Sequence, residues 1–126
     1  MKILVLGGDG YLGWPTALHL SEHGHQVAVA DNFARRHYDD ELGVESLVPI
    51  EPLRTRIAVW RELTGRRIGM YVGDLTDAIF TYHIIADFEP ELVVVAAAGK
   101  VVANRHLVPE RGQVQRGRPA EVAVTA

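Results

Sequence analysis

The sequence predicts an α/β fold built on an open, doubly wound parallel sheet with helices on both faces. Three observations carry that expectation. Four short, largely apolar runs at residues 3–6, 27–30, 68–72 and 92–95 are continuous rather than alternating, as strands buried on both faces require. Between them lie stretches whose apolar residues recur at helical spacing. Glycine, Asp and Asn punctuate the changes from one kind of segment to the other.

Residues 3–6 are a strand stopped by Gly7-Gly8. In the helix that follows, Tyr11, Leu12, Ala17, Leu18 and Leu20 form an apolar stripe, Pro15 is tolerated only near the start, and Glu22-His23-Gly24-His25 supplies a glycine stop. Residues 27–30 are the second strand, so residues 3–30 make a βαβ unit with a right-handed crossover. Past Asp31-Asn32 the pattern loosens, and residues 33–46 read as a loop plus a short helix. Pro49 and Pro52 precede a helix over 53–63, where Leu53, Ile57, Trp60 and Leu63 recur at helical spacing and Thr64-Gly65 ends the run. Residues 68–72 are the third strand, closed by Gly73-Asp74. Thr76 is the expected N-cap of a helix that carries Ile79, Phe80, Ile84 and Ile85 and stops before Pro90. Residues 92–95 are the fourth strand.

Beyond Ala98 the periodicity fails. Residues 99–103 could extend the fourth strand, but the rest is rich in Arg, Gly and Pro without a helix or strand period. The expected organisation is a domain over 1–98, its sheet truncated after about four strands, and an irregular, poorly ordered basic tail over 99–126.

Composition limits what such a domain does. The 126 residues are 48% hydrophobic and 23% charged with a formal charge of −3, which suits one ordinary domain with its own core. No window approaches the ~18 consecutive apolar residues of a membrane span, and Met1-Lys2 leads into residues 3–6 without a signal-peptide layout. No membrane partner and a cytoplasmic location are therefore expected. The absence of cysteine excludes disulfides and thiolate metal sites, and the six histidines form no ligand-spaced cluster, so no metal is expected. His23 and His25 flank a glycine and read as solvent-facing. Residues 1–99 carry a net charge of −6 and residues 100–126 one of +3. Arg105, Arg111, Arg116 and Arg118 in that basic tail have no aromatic residue among them to stack a base, which argues against nucleic acid.

The chemistry-bearing stretch is LVLGGDGYLGW at residues 4–14. It satisfies two phosphate-loop spacings at once, Gly8-x-Gly10-x-x-Gly13 and Gly7-x-x-Gly10-x-x-Gly13. Glycines at a strand-to-helix turn permit the turn, let backbone approach a pyrophosphate and let the helix pack on the sheet, while the anion meets free N–H groups at the helix start. Alone, the pattern reads equally well as a tight turn. Asp31 decides for the cradle: it closes the second strand eighteen residues after Gly13, where an acid accepts from the adenosine ribose hydroxyls and repels a 2′-phosphate, favouring NAD over NADP. Arg35 and Arg36 either pair with a phosphate or stack on adenine at that corner, or face solvent beside Asp39 and Asp40. Asp74 lies where an adenine edge would sit, or is a turn residue ahead of a cap. Asp9 is compatible with an anion site only if its side chain points away from the phosphates.

Here a resemblance becomes specific. The segments GGDGYLGW with Pro15 to Leu20, DNFARRHYDDELGVESLVPI, RIAVWRELTGRRIGMYVGDLTD and FEPELVVV resemble the extended short-chain dehydrogenase/reductases, the nucleotide-sugar epimerases and dehydratases with a Rossmann-type fold. Within them the chain is most similar to the UDP-sulfoquinovose synthases over residues 3 to about 95. The resemblance implies NAD as cofactor, held by Gly7, Gly10, Tyr11, Leu12, Gly13, Asp31, Asn32, Phe33, Arg35, Arg36, Asp74 and Leu75. In it Tyr11 and Leu12 lie on the pyrophosphate, Asp31, Asn32 and Arg35 hold the adenosine, and Asp74 with Leu75 contacts adenine. It also implies a nucleotide-sugar substrate, oxidation of the glucose ring of UDP-glucose with sulfite addition, and a homodimer in the full-length family.

The departures are as informative. Where the family continues past the fourth strand with His, Glu, Gln and Arg facing the nicotinamide, this chain reads Ala96-Ala97-Ala98-Gly99-Lys100-Val101. The Tyr-x-x-x-Lys pair is absent: Pro15, Leu42, Leu75 and Ala86 stand four places after the four tyrosines. No catalytic residue is therefore expected, and whether the chain is an enzyme in its own right stays open. The expectation is a truncated, NAD-binding portion inactive alone; another NAD-dependent nucleotide-sugar epimerase, a non-catalytic NAD-binding module and a poorly folding fragment with an exposed fourth-strand edge are the alternatives.

Overall fold

A computed structural model of the protein describes residues 1–45, 49–97 and 100–104. In chain order its elements are β1 (Lys2–Leu6), α1 (Gly13–Glu22), β2 (Gln26–Asp31), α2 (Ala34–Leu42), α3 (Leu53–Thr64), β3 (Ile68–Val72), α4 (Ala78–Phe88), β4 (Leu92–Ala97) and β5 (Lys100–Asn104). The strands form one sheet in the order β3-β2-β1-β4-β5. β1 pairs in parallel with β2, Ile3 opposite Val27 and Leu6 opposite Ala30, and in parallel with β4, Ile3 opposite Leu92 and Leu6 opposite Val95. β2 and β3 are also parallel.

The unbroken apolar runs correspond to strands covered twice. Successive strand residues point to opposite faces, and the core divides accordingly. Ile3, Val5, Val27 and Val29 pack beneath α1 and α3 with Ala17 and Leu53, whereas Leu4, Ala28, Ala30 and Val93 pack beneath α4 with Ile84. Helices on both faces make the sheet doubly wound, and the strand order reverses between β1 and β4. A ligand crevice belongs at such a switch, outside the carboxyl ends of the strands.

Local expectations needed adjustment in several places. Thr76 does not cap α4. Its N–H and hydroxyl both donate to Asp74 Oδ1 at 2.8 Å, and the next residue, Asp77, takes the N-cap, accepting from Ile79 N at 2.9 Å and Phe80 N at 3.4 Å. Tyr11 is outside the α1 stripe, 84% exposed ahead of the helix, and Leu63 and Ile79 lie on outer faces at 77% and 70% exposure. Periodicity marks an apolar position without saying whether anything packs over it. Residues 100–104 do not extend the fourth strand. They form β5, antiparallel to β4 from Ala97 opposite Lys100 to Val93 opposite Asn104, so the sheet continues past the boundary expected at residue 98 and the β4 edge is paired. Of the irregular tail expected over 99–126, residues 99 and 105–126 lie outside the described residues, as do residues 46–48 and 98. No described helix is long and apolar enough to cross a membrane.

Candidate functional site

The loop between β1 and α1 is shaped by how little room it leaves. Gly7 has φ +82°, and a Cβ there would lie 2.4 Å from the Ala96 carbonyl oxygen of β4. A Cβ on Gly13 would lie 1.9 Å from the Gly7 carbonyl oxygen, because the first turn of α1 sits directly on the loop. Gly10 N–H donates back to Gly7 O at 3.1 Å, and Gly7 N–H donates to Ala30 O of β2 at 2.8 Å. Of the two overlapping spacings, the one beginning at Gly7 therefore carries the positive φ.

The start of α1 is left open toward an acceptor. Its N-cap position, Leu12, offers no side-chain acceptor, and its first turn contains no acid. The N–H groups of Tyr11, Leu12 and Gly13 have no partner among the described residues. α4, by contrast, is closed by the Asp77 carboxylate. An uncapped helix start with unpaired N–H groups receives an anion favourably.

Asp31 ends β2 beside this loop. Its Oδ2 accepts from Asp9 N at 2.9 Å and its Oδ1 from Phe33 N at 2.8 Å, so it is oriented by both loops and still has lone pairs for further donors. Phe33 holds φ +55°, a strained value for a residue with a side chain, at the turn that brings its N–H to Asp31. Asn32 is exposed and accepts from Ala34 N at 3.0 Å. Arg35 is exposed as well, its Nη2 donating to Asp9 O at 3.5 Å.

Asp9 is buried, only 3% exposed, and its carboxylate engages α2 and α3. Arg36 grips it in a fork, Nε to Oδ2 at 2.7 Å and Nη2 to Oδ1 at 2.9 Å, and Arg56 Nη2 donates to Oδ1 as well. Both guanidiniums also bind the chain just before α3: Arg36 reaches Ile50 O at 3.2 Å and Glu51 O at 2.9 Å, and Arg56 Nε reaches Glu51 O at 3.0 Å. The Arg56 guanidinium carbon lies 5.0 Å from the Trp14 ring centroid. The hydrogen bond to Asp9 raises the Arg36 pKa, whereas burial lowers that of Arg56 against the attraction of Asp9. Asp9 thus brings one negative charge to two positive ones, and the acid within the glycine loop is neutralised.

Asp74 follows β3 in an exposed turn. The Thr76 N–H and hydroxyl hold its carboxyl below the usual carboxylate range, and Leu75 packs into the core beneath α4. The structure therefore brings Gly7, Gly10, Tyr11, Leu12, Gly13, Asp31, Asn32, Phe33 and Arg35 around one sheet end, and places Arg36 in the Asp9 cluster. Asp74 and Leu75 stand after the neighbouring strand. Arg56 escaped sequence reasoning, since it is 47 residues from Asp9 and in a different element. The one signal available was an acid in a glycine loop, which requires a cation somewhere.

The family model for the "NAD dependent epimerase/dehydratase family" matches residues 3–113. A chloroplastic UDP-sulfoquinovose synthase of Spinacia oleracea is 46% identical over 93 residues, 74% of this chain and 19% of that protein. A UDP-sulfoquinovose synthase of Sulfolobus acidocaldarius is 39% identical over 94 residues, 75% of this chain and 24% of that protein. The chain thus spans about a fifth to a quarter of the length of these curated relatives. Among solved structures, UDP-glucose 4-epimerase from Bifidobacterium longum in complex with NAD+ and UDP has the same fold, with a TM-score of 0.56 and 23% identity over 79% of this chain and 25% of that one.

Proposed function

The chain belongs to the NAD dependent epimerase/dehydratase family, and on that premise we propose that it is the NAD-binding portion of a UDP-sulfoquinovose synthase-like nucleotide-sugar enzyme. The observation that carries this reading is the open start of α1, where the N–H groups of Tyr11, Leu12 and Gly13 have no partner among the described residues, above a loop in which Gly7 and Gly13 leave no space for side chains. A pyrophosphate fits that cradle because binding comes from backbone N–H groups and the positive helix end. Asp31, oriented by the Asp9 and Phe33 N–H groups, receives the adenosine ribose hydroxyls. Asn32 and Arg35, both exposed at the same corner, and the Asp74-Leu75 turn border the adenine.

When bound, NAD supplies the hydride acceptor and donor for oxidising and re-reducing a sugar ring. The chain's own groups bind and orient; with no Tyr-x-x-x-Lys pair in the sequence, they do not supply the proton transfer that such an oxidation needs. UDP-glucose and sulfite are the substrates we assign to the complete enzyme, following the higher identity to the synthases than to the epimerases.

A thermal melt of the purified chain with and without NAD tests the reading. At ~100 times its dissociation constant a ligand adds about 2.7 kcal/mol, several degrees of Tm in a domain of this size. A saturable rise in Tm with NAD, and no turnover of UDP-glucose with sulfite, is expected. An unchanged Tm up to millimolar NAD would overturn the assignment.

A further inference from the structure

One cation of the adenosine corner is turned away from it. Arg35 and Arg36 follow Asp31 by four and five residues, at the start of α2, where a guanidinium is well suited to pair with a phosphate on the adenosine ribose. Arg35 is exposed, with one long contact from its Nη2 to Asp9 O at 3.5 Å. Arg36 is committed: Nε and Nη2 hold the Asp9 carboxylate, and Nη1 and Nη2 hold the Ile50 and Glu51 carbonyl oxygens. The charge of Asp31 nevertheless reaches it and adds to the rise in its pKa, so Arg36 sits within electrostatic range of the residue that receives the ribose. An acid is otherwise a poor choice for a loop that binds an anion.

We propose that Asp9 is a specificity-determining residue for the dinucleotide: by holding Arg36 in a bidentate pair, it withholds that guanidinium from a 2′-phosphate and so favours NAD over NADP. This rests on reading the glycine loop as an NAD site. Asp31 repels the 2′-phosphate, and Asp9 removes a cation that would reward it. Arg35 remains, but a single exposed arginine is well screened and contributes little. Arg56 binds the same carboxylate from α3, so Asp9 itself stays buried.

The test titrates the full chain with NAD and, separately, with NADP by calorimetry, for the wild type, Asp9→Asn and Arg36→Lys, with far-UV circular dichroism reporting the fold. Asn removes the charge that anchors the fork and leaves Arg36 only the Ile50 and Glu51 carbonyl oxygens. Lysine cannot form the fork and carries its ammonium on a flexible stem, so each substitution loosens a cation at the corner. NADP binding is expected to tighten, and the preference for NAD to narrow by about tenfold, the scale of one charge-assisted hydrogen bond. The double variant Asp9→Asn/Arg36→Met lacks the Arg36 guanidinium, while Arg56 keeps its contacts to the Glu51 carbonyl oxygen and the Trp14 ring, and it is expected to lose that gain. A folded variant that binds NAD with the wild-type preference overturns the proposal, as does a double variant that keeps the gain. Where Asp9→Asn fails to fold, Arg36→Lys decides by itself. A wild-type chain that binds neither dinucleotide overturns the NAD reading first and the proposal with it.

Discussion

At Gly13 two effects of one methyl group oppose each other. Alanine favours a helix over glycine by about 1 kcal/mol, yet its Cβ would lie 1.9 Å from the Gly7 carbonyl oxygen. Overpacking against fixed backbone costs about 1–3 kcal/mol and moves the atoms concerned, so the clash prevails. Gly13→Ala is expected to lower Tm and to abolish the response to NAD, measured by melts with and without the dinucleotide. Asp31 and Asp9 are both acids beside the proposed anion site, yet their surroundings differ. Asp31 accepts two backbone N–H groups and has lone pairs to offer, whereas Asp9 is enclosed by two guanidiniums. The place of Asp31 was legible in the sequence because it follows from position at a strand end. That of Asp9 was not, because its partners lie 27 and 47 residues away.

At the scale of elements, side-chain ties fix the helices to the sheet and to each other. The Trp60 indole N–H of α3 donates to the buried Ser21 hydroxyl of α1 at 3.0 Å. Trp60→Phe removes that donor and is expected to cost about 1 kcal/mol, read from the shift of a urea midpoint. Asp77→Ala leaves two N–H groups at the start of α4 unpaired and is expected to cost about 1 kcal/mol, read in the same way. β3 and α4 are joined by the Tyr71 hydroxyl, which donates to Asp87 at 2.5 Å; burial first, then this bond, push the phenol up to about 12. The folded chain therefore holds the Tyr71 proton more tightly than the unfolded chain does. The stability this adds is complete below pH ~10, the ordinary tyrosine value, and is lost as pH rises through about 12. Urea unfolding from pH 9 to 12 is expected to show a shallower decline for Tyr71→Phe than for the wild type. Of these ties, only the apolar halves were visible as helical spacing. The cap moved from Thr76 to Asp77 because Asp74 had already engaged the Thr76 hydroxyl.

For the whole molecule, β5 is the feature that changes the picture. A sheet that stopped at β4 would present a row of unpaired backbone groups along a Val-rich strand, a template for aggregation. Residues 100–104 fold back antiparallel and pair that edge. A chain shortened after Ala97 is accordingly expected to self-associate at concentrations where the full chain stays monodisperse, as measured by light scattering. The glycine loop is framed by β1 and α1, with β2 and β4 contacting it through Ala30 and Ala96. The site therefore depends on the order of the sheet as much as on its own residues.

Local and periodic features were written along the chain: buried strands as continuous apolar runs, helices as spaced apolar residues, the glycine turn, and Asp31 at a fixed distance beyond it. Each of these is set by the geometry of a single element or of one βαβ unit, so neighbours along the chain suffice to encode it. Tertiary packing alone settles which acid is enclosed by guanidiniums, that Arg36 and Arg56 meet at Asp9, and that residues 100–104 turn back on β4. Charge pairing and edge pairing act through space. Their partners come from elements far apart in the chain, and a buried carboxylate discloses its cations only when the elements carrying them are packed together.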